Sequence, residues 1–145
     1  MSSQDGIIRL QGIMKQFPGQ EKPAVARLEC EIHTGSVTGL VGPDGAGKTT
    51  LMRMLAGLLK PSEGNASVIG LDPIEDDRAL HAVLGYMPQK FGLYEDLTVM
   101  ENLTLYADLR GVTGEEREKT FKRLLEFTAL GPFTTRLAGK LSGGM

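Results

Sequence analysis

Hydrophobic and polar residues along this chain follow two different periods. In Ala26-Arg27-Leu28-Glu29-Cys30-Glu31-Ile32 the alternation is strict, which predicts a strand with one buried face and one wet face. Residues 7–13 predict an earlier strand, broken at Phe17-Pro18-Gly19. The apolar run Val37-Thr38-Gly39-Leu40-Val41, entered through Thr34-Gly35-Ser36, predicts a short buried strand. The period then changes. Leu51, Met54, Leu55 and Leu58 stand at i, i+3, i+4 and i+7, the apolar face of a helix that Pro61 and Gly64 stop.

Further on, the turn Pro61-Ser62-Glu63-Gly64-Asn65 leads into a strand over residues 66–69, ending at Gly70. Residues 77–82 predict a short helix, and Val83-Leu84-Gly85-Tyr86-Met87 a further apolar strand that Pro88 ends. Thr98-Val99-Met100-Glu101 is a capping box opening a helix through Leu103, Tyr106 and Ala107 to Gly111. Thr113-Gly114-Glu115-Glu116 reads as a second box. Its helix carries Phe121, Leu124, Leu125 and Thr128 on one side before Gly131-Pro132 closes it. No internal repeat, low-complexity tract or long linker interrupts the series.

Between the strand at 37–41 and the helix that follows lies Gly42-Pro43-Asp44-Gly45-Ala46-Gly47-Lys48-Thr49-Thr50, which satisfies G-x-x-x-x-G-K-[ST] at every position. The residue types fit the chemistry of a phosphate-binding P-loop. A polyphosphate needs many donors converging on a small volume, and only backbone with little side-chain bulk, as at Gly42, Gly45, Ala46 and Gly47, wraps that closely. Lys48 supplies a point charge for the β and γ oxygens, the Thr49 hydroxyl is placed to hold Mg²⁺, and the helix aims its N-terminal amides at the phosphates.

Composition changes this picture little. With 41% hydrophobic and 23% charged residues the chain is an ordinary globular one, and its net charge of −2 advertises no nucleic acid. The single cysteine, Cys30, excludes an internal disulfide and reads most simply as a small buried apolar residue. No apolar run approaches the ~18–20 residues of a membrane span, and the opening Met1-Ser2-Ser3-Gln4-Asp5 lacks the pattern of a secretory signal. His33 and His81 have no partner at metal-ligand spacing and read as surface or packing residues. Glu75-Asp76-Asp77 reads as a solvated turn and helix start.

Beyond the P-loop the chain resembles the ATP-binding subunits of ABC transporters. Four features match in order: Phe17 after the first strand, the loop from Gly42 to Thr50, Gln89 in Tyr86-Met87-Pro88-Gln89, and Leu141-Ser142-Gly143-Gly144-Met145. The stretch Gln89-Lys90-Phe91-Gly92-Leu93-Tyr94, followed by Leu97 to Leu103, is most similar to the ABC-2 export branch. The resemblance implies that Phe17 stacks on adenine, against the plainer reading of a loop-anchoring aromatic. It implies that Gln89 touches Mg²⁺ and the attacking water, and that Leu141, Ser142, Gly143 and Gly144 meet the ATP of a second cassette. Read alone, Ser-Gly-Gly is only a turn. Phe91 and Tyr94 either contact a membrane subunit or pack locally. The catalytic positions in this chain would be Lys48 and Gln89, with ATP and Mg²⁺ as cofactors.

The family pattern continues past the signature into an apolar strand ending in Asp-Glu and then a switch histidine, neither of which occurs in these 145 residues. The expectation is therefore an N-terminal piece of a cassette that binds nucleotide but does not itself hydrolyse it, and whose apolar strand faces lack partners. The expected architecture is α/β, a P-loop NTPase (ABC cassette) fragment. An antiparallel β subdomain would comprise about residues 5–35 and 66–70, with a partial parallel core sheet. A helical subdomain would run from about residue 97 to 145. In full length it would couple ATP hydrolysis to export through an integral-membrane subunit, on the cytoplasmic face of the membrane, with a second cassette and no nucleic acid. Two other classes stay open: a soluble ABC ATPase unconnected with transport, and a non-hydrolysing nucleotide-binding module. A GTPase is disfavoured, because no Asn-Lys-x-Asp motif occurs.

Overall fold

The computed structural model describes residues 6–89 and 92–142. Contacts divide the chain into two compact units, Met1–Tyr86 and Met87–Met145.

In the first unit, β1 (Gly6–Lys15) is the centre of a three-stranded antiparallel sheet, flanked by β2 (Val25–His33) and β3 (Glu63–Val68). Helix α1 (Lys48–Leu55) covers one face: Leu10 and Ile13 of β1 and Leu51 and Met54 of α1 form the buried core. The predicted apolar stripe of α1 therefore does bury its first members. The helix ends earlier than Pro61, however, and Leu58 is exposed. The stop is Gly57, left-handed at φ 71. Its N–H donates to Met54 O (3.1 Å) and that of Leu58 to Arg53 O (2.9 Å), the paired bonds of a Schellman motif.

The alternation in β2 does not produce one buried face. Val25, Leu28 and Ile32 are half-buried, while Ala26 and Cys30 are exposed. Two causes are visible. β2 is an edge strand, and its register against β1 slips between Leu10↔Cys30 and Ile13↔Leu28, where Gly12 takes φ 62 in a bulge. Strand β3 begins within the predicted turn. It ends in a two-residue turn of Ile69 (φ 55) and Gly70 (φ 78), with Val68 and Leu71 exchanging N–H···O bonds of 2.9 and 3.0 Å. Helix α2 (Asp77–Val83) matches its prediction to within a residue.

The pieces expected of a parallel core sheet form no strands. Residues 37–41 and 84–87 have no ladder partner among the described residues. Val37 (102% exposed) and Val41 (93%) stand in solvent, as does Met87. A buried parallel strand needs neighbours on both sides, which the local apolar pattern cannot supply.

The second unit holds α3 (Val99–Leu109) and α4 (Gly114–Thr128), then short 3-10 turns at Gly131–Phe133 and Ala138–Lys140. The first capping box forms in full, the Thr98 side chain accepting from Glu101 N and the Glu101 carboxylate accepting from Thr98 N. Both Thr98 donors hold the Glu101 carboxyl below its usual value, the backbone N–H most. The second box does not form: Thr113 makes no side-chain cap. Arg117 ties that corner instead, donating to Val112 O (2.8 Å) and to the Asp108 carboxylate. Helix α4 ends on Ala129, left-handed at φ 55, before Gly131 is reached.

Candidate functional site

The loop from Gly42 to Gly47 runs directly into α1, whose first residue is Lys48. Gly45 (φ 79) and Gly47 (φ 83) take left-handed conformations that side chains disfavour. Gly47 is needed on a second ground, because a β-carbon there would run into the carbonyl of Ala24 at the entrance to β2. That close approach seats the loop against the hairpin that carries Phe17. Within the hairpin, Ala24 N–H donates to Lys15 O (2.8 Å) and Gln20 N–H to Phe17 O (3.2 Å).

Lys48 ties the loop from end to end. Its Nζ donates to Gly42 O (2.7 Å) and Pro43 O (2.6 Å), while Ala46 N–H donates to Pro43 O (3.3 Å). An ammonium carries three donors, so this clamp leaves one for a phosphate oxygen. Helix α1 has neither a side-chain N-cap nor an acidic residue in its first turn. Its positive end therefore faces an incoming anion with no competing carboxylate of its own. Gly42, Pro43, Asp44, Gly45, Ala46 and Thr49 are exposed, and Gly47, Lys48 and Thr50 half-buried, so the loop is open to a ligand from solution.

Phe17 is half-buried, and the Lys15 ammonium lies 5.3 Å from its ring centroid while donating to Lys60 O (2.7 Å). The cation over the ring gives the loop-anchoring reading a concrete contact. Of the histidines, His81 has its Nε2 2.8 Å from Ala56 O. A carbonyl only accepts, so Nε2 carries the hydrogen, and the ring satisfies a carbonyl at the end of α1. His81 is thus an exposed residue bonded to the end of α1. Among the described residues no cluster of three or more His, Cys, Asp or Glu could hold a metal. Mg²⁺ does not require one: it binds through one or two protein oxygens and completes its shell with water and substrate phosphate, which the single Thr49 hydroxyl fits.

The remaining candidates fall in the second unit. Gln89 is exposed. Leu141, half-buried, caps the last 3-10 turn, its N–H donating to Ala138 O (3.1 Å), and Ser142 is exposed. Gly143 and Gly144 lie outside the described residues, as does Phe91. Tyr94 is 58% exposed, but its backbone is bound on both sides by Asn102. Asn102 belongs to none of the sequence motifs. Its signal was an amide on the apolar side of α3, four residues after the capping Thr98 and next to Leu103.

The family profile described as ABC transporter matches residues 25–145. The chain belongs to the ABC transporter family. It is 79% identical over 141 residues to the probable multidrug ABC transporter ATP-binding protein YbhF of Escherichia coli (strain K12), which covers 97% of the chain but 24% of that protein. The chain thus spans about a quarter of the length of the curated relatives it matches at this level. It is also 41% identical over 138 residues to the retinal-specific phospholipid-transporting ATPase ABCA4 of Homo sapiens, covering 95% of the chain and 6% of that protein. Among solved structures, the ATP-binding cassette MJ0796, in a dimeric post-hydrolysis state bound to ADP and Pi, aligns with a TM-score of 0.79 and 27% identity. The alignment covers 94% of this chain and 63% of that one. The ABC cassette fold expected from the motifs is therefore present, although residues 37–41 and 84–87 form no strand ladder among the described residues. No helix among the described residues is long and apolar enough to cross a membrane.

Proposed function

We propose that this chain is the ATP-binding portion of an ABC export subunit, which in its whole protein couples ATP hydrolysis to transport through a separate membrane subunit. The observation that carries the reading is the Lys48 clamp on Gly42 and Pro43 at an uncapped helix N-terminus. That arrangement presents a cation and converging amides to a polyphosphate. Likeness to a multidrug ATP-binding protein and to a cassette bound to ADP and Pi supports the same reading.

In this reading Gly42 to Thr50 hold the phosphates and Phe17 takes the adenine ring. Thr49 holds Mg²⁺ with help from Gln89, and Leu141 to Gly144 serve the ATP of a second cassette. Mg²⁺, when bound, neutralises charge on the β and γ oxygens. Lys48 orients the γ-phosphate, and Gln89 places the attacking water. The whole protein works at the cytoplasmic face of a membrane.

Titration calorimetry of Mg-ATP into the 145-residue chain tests the reading. Lys48→Ala should weaken binding by about tenfold to a hundredfold, the loss of a charged hydrogen bond of ~1.5–3 kcal/mol. An unchanged dissociation constant in the mutant rules the P-loop assignment out.

A further inference from the structure

Asn102 is 1% exposed, the one polar side chain in the core of the described residues, and its side-chain hydrogen bonds all go to one segment. Its Oδ1 accepts from Tyr94 N (2.9 Å), and its two Nδ2 hydrogens are shared among Tyr94 O (3.0 Å), Thr98 O (3.0 Å) and, at a longer 3.3 Å, Leu97 O. One turn later on α3, the Tyr106 hydroxyl donates to Gly92 O. Helix α3 thus grips the stretch from Gly92 to Thr98, downstream of Gln89.

That stretch is bonded in turn to the one that ends just before Ser142. Ala138 N–H donates to Leu97 O (2.8 Å), Gly139 N–H to Glu95 O (3.0 Å), and Val99 N–H to Arg136 O (3.0 Å), with Thr98 and Leu137 in an antiparallel bridge. Leu97 O therefore receives both the Asn102 amide and the Ala138 N–H. Gly139 presses close enough that an added β-carbon would lie 3.0 Å from Glu95 Cβ.

We propose that Asn102 is a positioning residue: by bonding the segment after Gln89 into register with the segment before Ser142, it makes the two motif-bearing stretches move as one piece. The proposal rests on the reading above, in which Gln89 and Ser142 serve nucleotide. The physical basis is connectivity. A buried amide with both N–H donors and its oxygen engaged holds its partners to one geometry, since releasing any of them leaves a buried polar group unpaired.

Amide hydrogen exchange on the 145-residue chain, followed by NMR without nucleotide, tests the clamp. Asn102→Ala should speed exchange about tenfold or more at Tyr94 and also at Ala138 and Gly139, which Asn102 does not touch. Amides of α4 should stay at the parent rate. A residue that merely supports the fold would instead raise exchange throughout the unit, and that result overturns the proposal, as does acceleration confined to Tyr94. Gly139→Ala tests the same connection from the far side without touching Asn102. It should accelerate Tyr94, and an unchanged Tyr94 rate overturns the proposal even if Asn102→Ala fails to fold. Failure of the parent chain to bind Mg-ATP would strike at the nucleotide reading alone, because the exchange measurements contain no nucleotide.

Discussion

At the scale of single residues, Phe17 is where two roles meet. Its ring lies under the Lys15 ammonium, and the hairpin that carries it meets the phosphate-binding loop where Ala24 approaches Gly47. If the ring stacks on adenine, Phe17→Ala weakens ATP and ADP alike by about 1–2 kcal/mol, since stacking ignores the phosphate count. Calorimetric affinities equal to the parent's would leave Phe17 an anchor only. Asp72 offers a residue-scale test of stability. Its carboxylate accepts from Ile74 N–H (2.8 Å) and Glu75 N–H (3.1 Å), and these bonds, the Ile74 one foremost, hold its pKa below the ordinary carboxylate value. A depressed folded pKa means the contribution is fully present above the unfolded value, about 4, and is lost as pH falls through the folded one. Asp72→Asn should therefore be less stable than the parent in urea at pH 7, with the gap narrowing below about pH 4. A gap that stayed constant to pH 3 would remove the charge from the account.

At the scale of elements, the turn after β3 is strained. Both of its residues have positive φ, a type I′ pattern that suits Asn-Gly, yet the first position is Ile69. A β-branched residue in the left-handed region is disfavoured by roughly 1–2 kcal/mol. Ile69 is 48% exposed, so removing its side chain sacrifices little burial. Ile69→Asn keeps the Ile69 N–H bond to Ile7 O (2.7 Å) and should raise stability by about 1 kcal/mol, read as a higher urea midpoint with an unchanged slope. A lower midpoint would mean that Ile69 packs to more effect than its exposure suggests. What was legible in the sequence at this scale was what neighbouring residues decide: the box of Thr98 and Glu101, the first turns of α1, the P-loop with its following helix. The Gly57 stop is legible too, though less conspicuous than Pro61. Harder to read were features set by distant partners. Cys30 lies opposite the buried Leu10 yet stays exposed on an edge strand, Arg117 replaces the second capping box, and the bonds of Asn102 need a loop that no local period announces.

At the scale of the whole molecule, the same distinction governs the segment from Val37 to Val41. Its composition says strand, but a strand exists only through its ladder, and the described residues give it none. Three apolar side chains are left in water, Val37 at 102% exposure, Leu40 at 48% and Val41 at 93%. A run of exposed β-branched and aliphatic residues with unpaired backbone on either side is a template for pairing with another chain. The 145-residue chain should accordingly associate as its concentration rises, with a weight-average mass by light scattering that climbs above the 15.7 kDa of a single copy. The double substitution Val37→Ser and Val41→Ser should suppress that rise. Because neither side chain is buried, it should also leave the thermal midpoint nearly unchanged, a surface change of ~0.5 kcal/mol or less. The two readouts separate the causes. Association that persists in the double variant would place the contact elsewhere, and a large fall in thermal midpoint would mean that these valines are packed in solution.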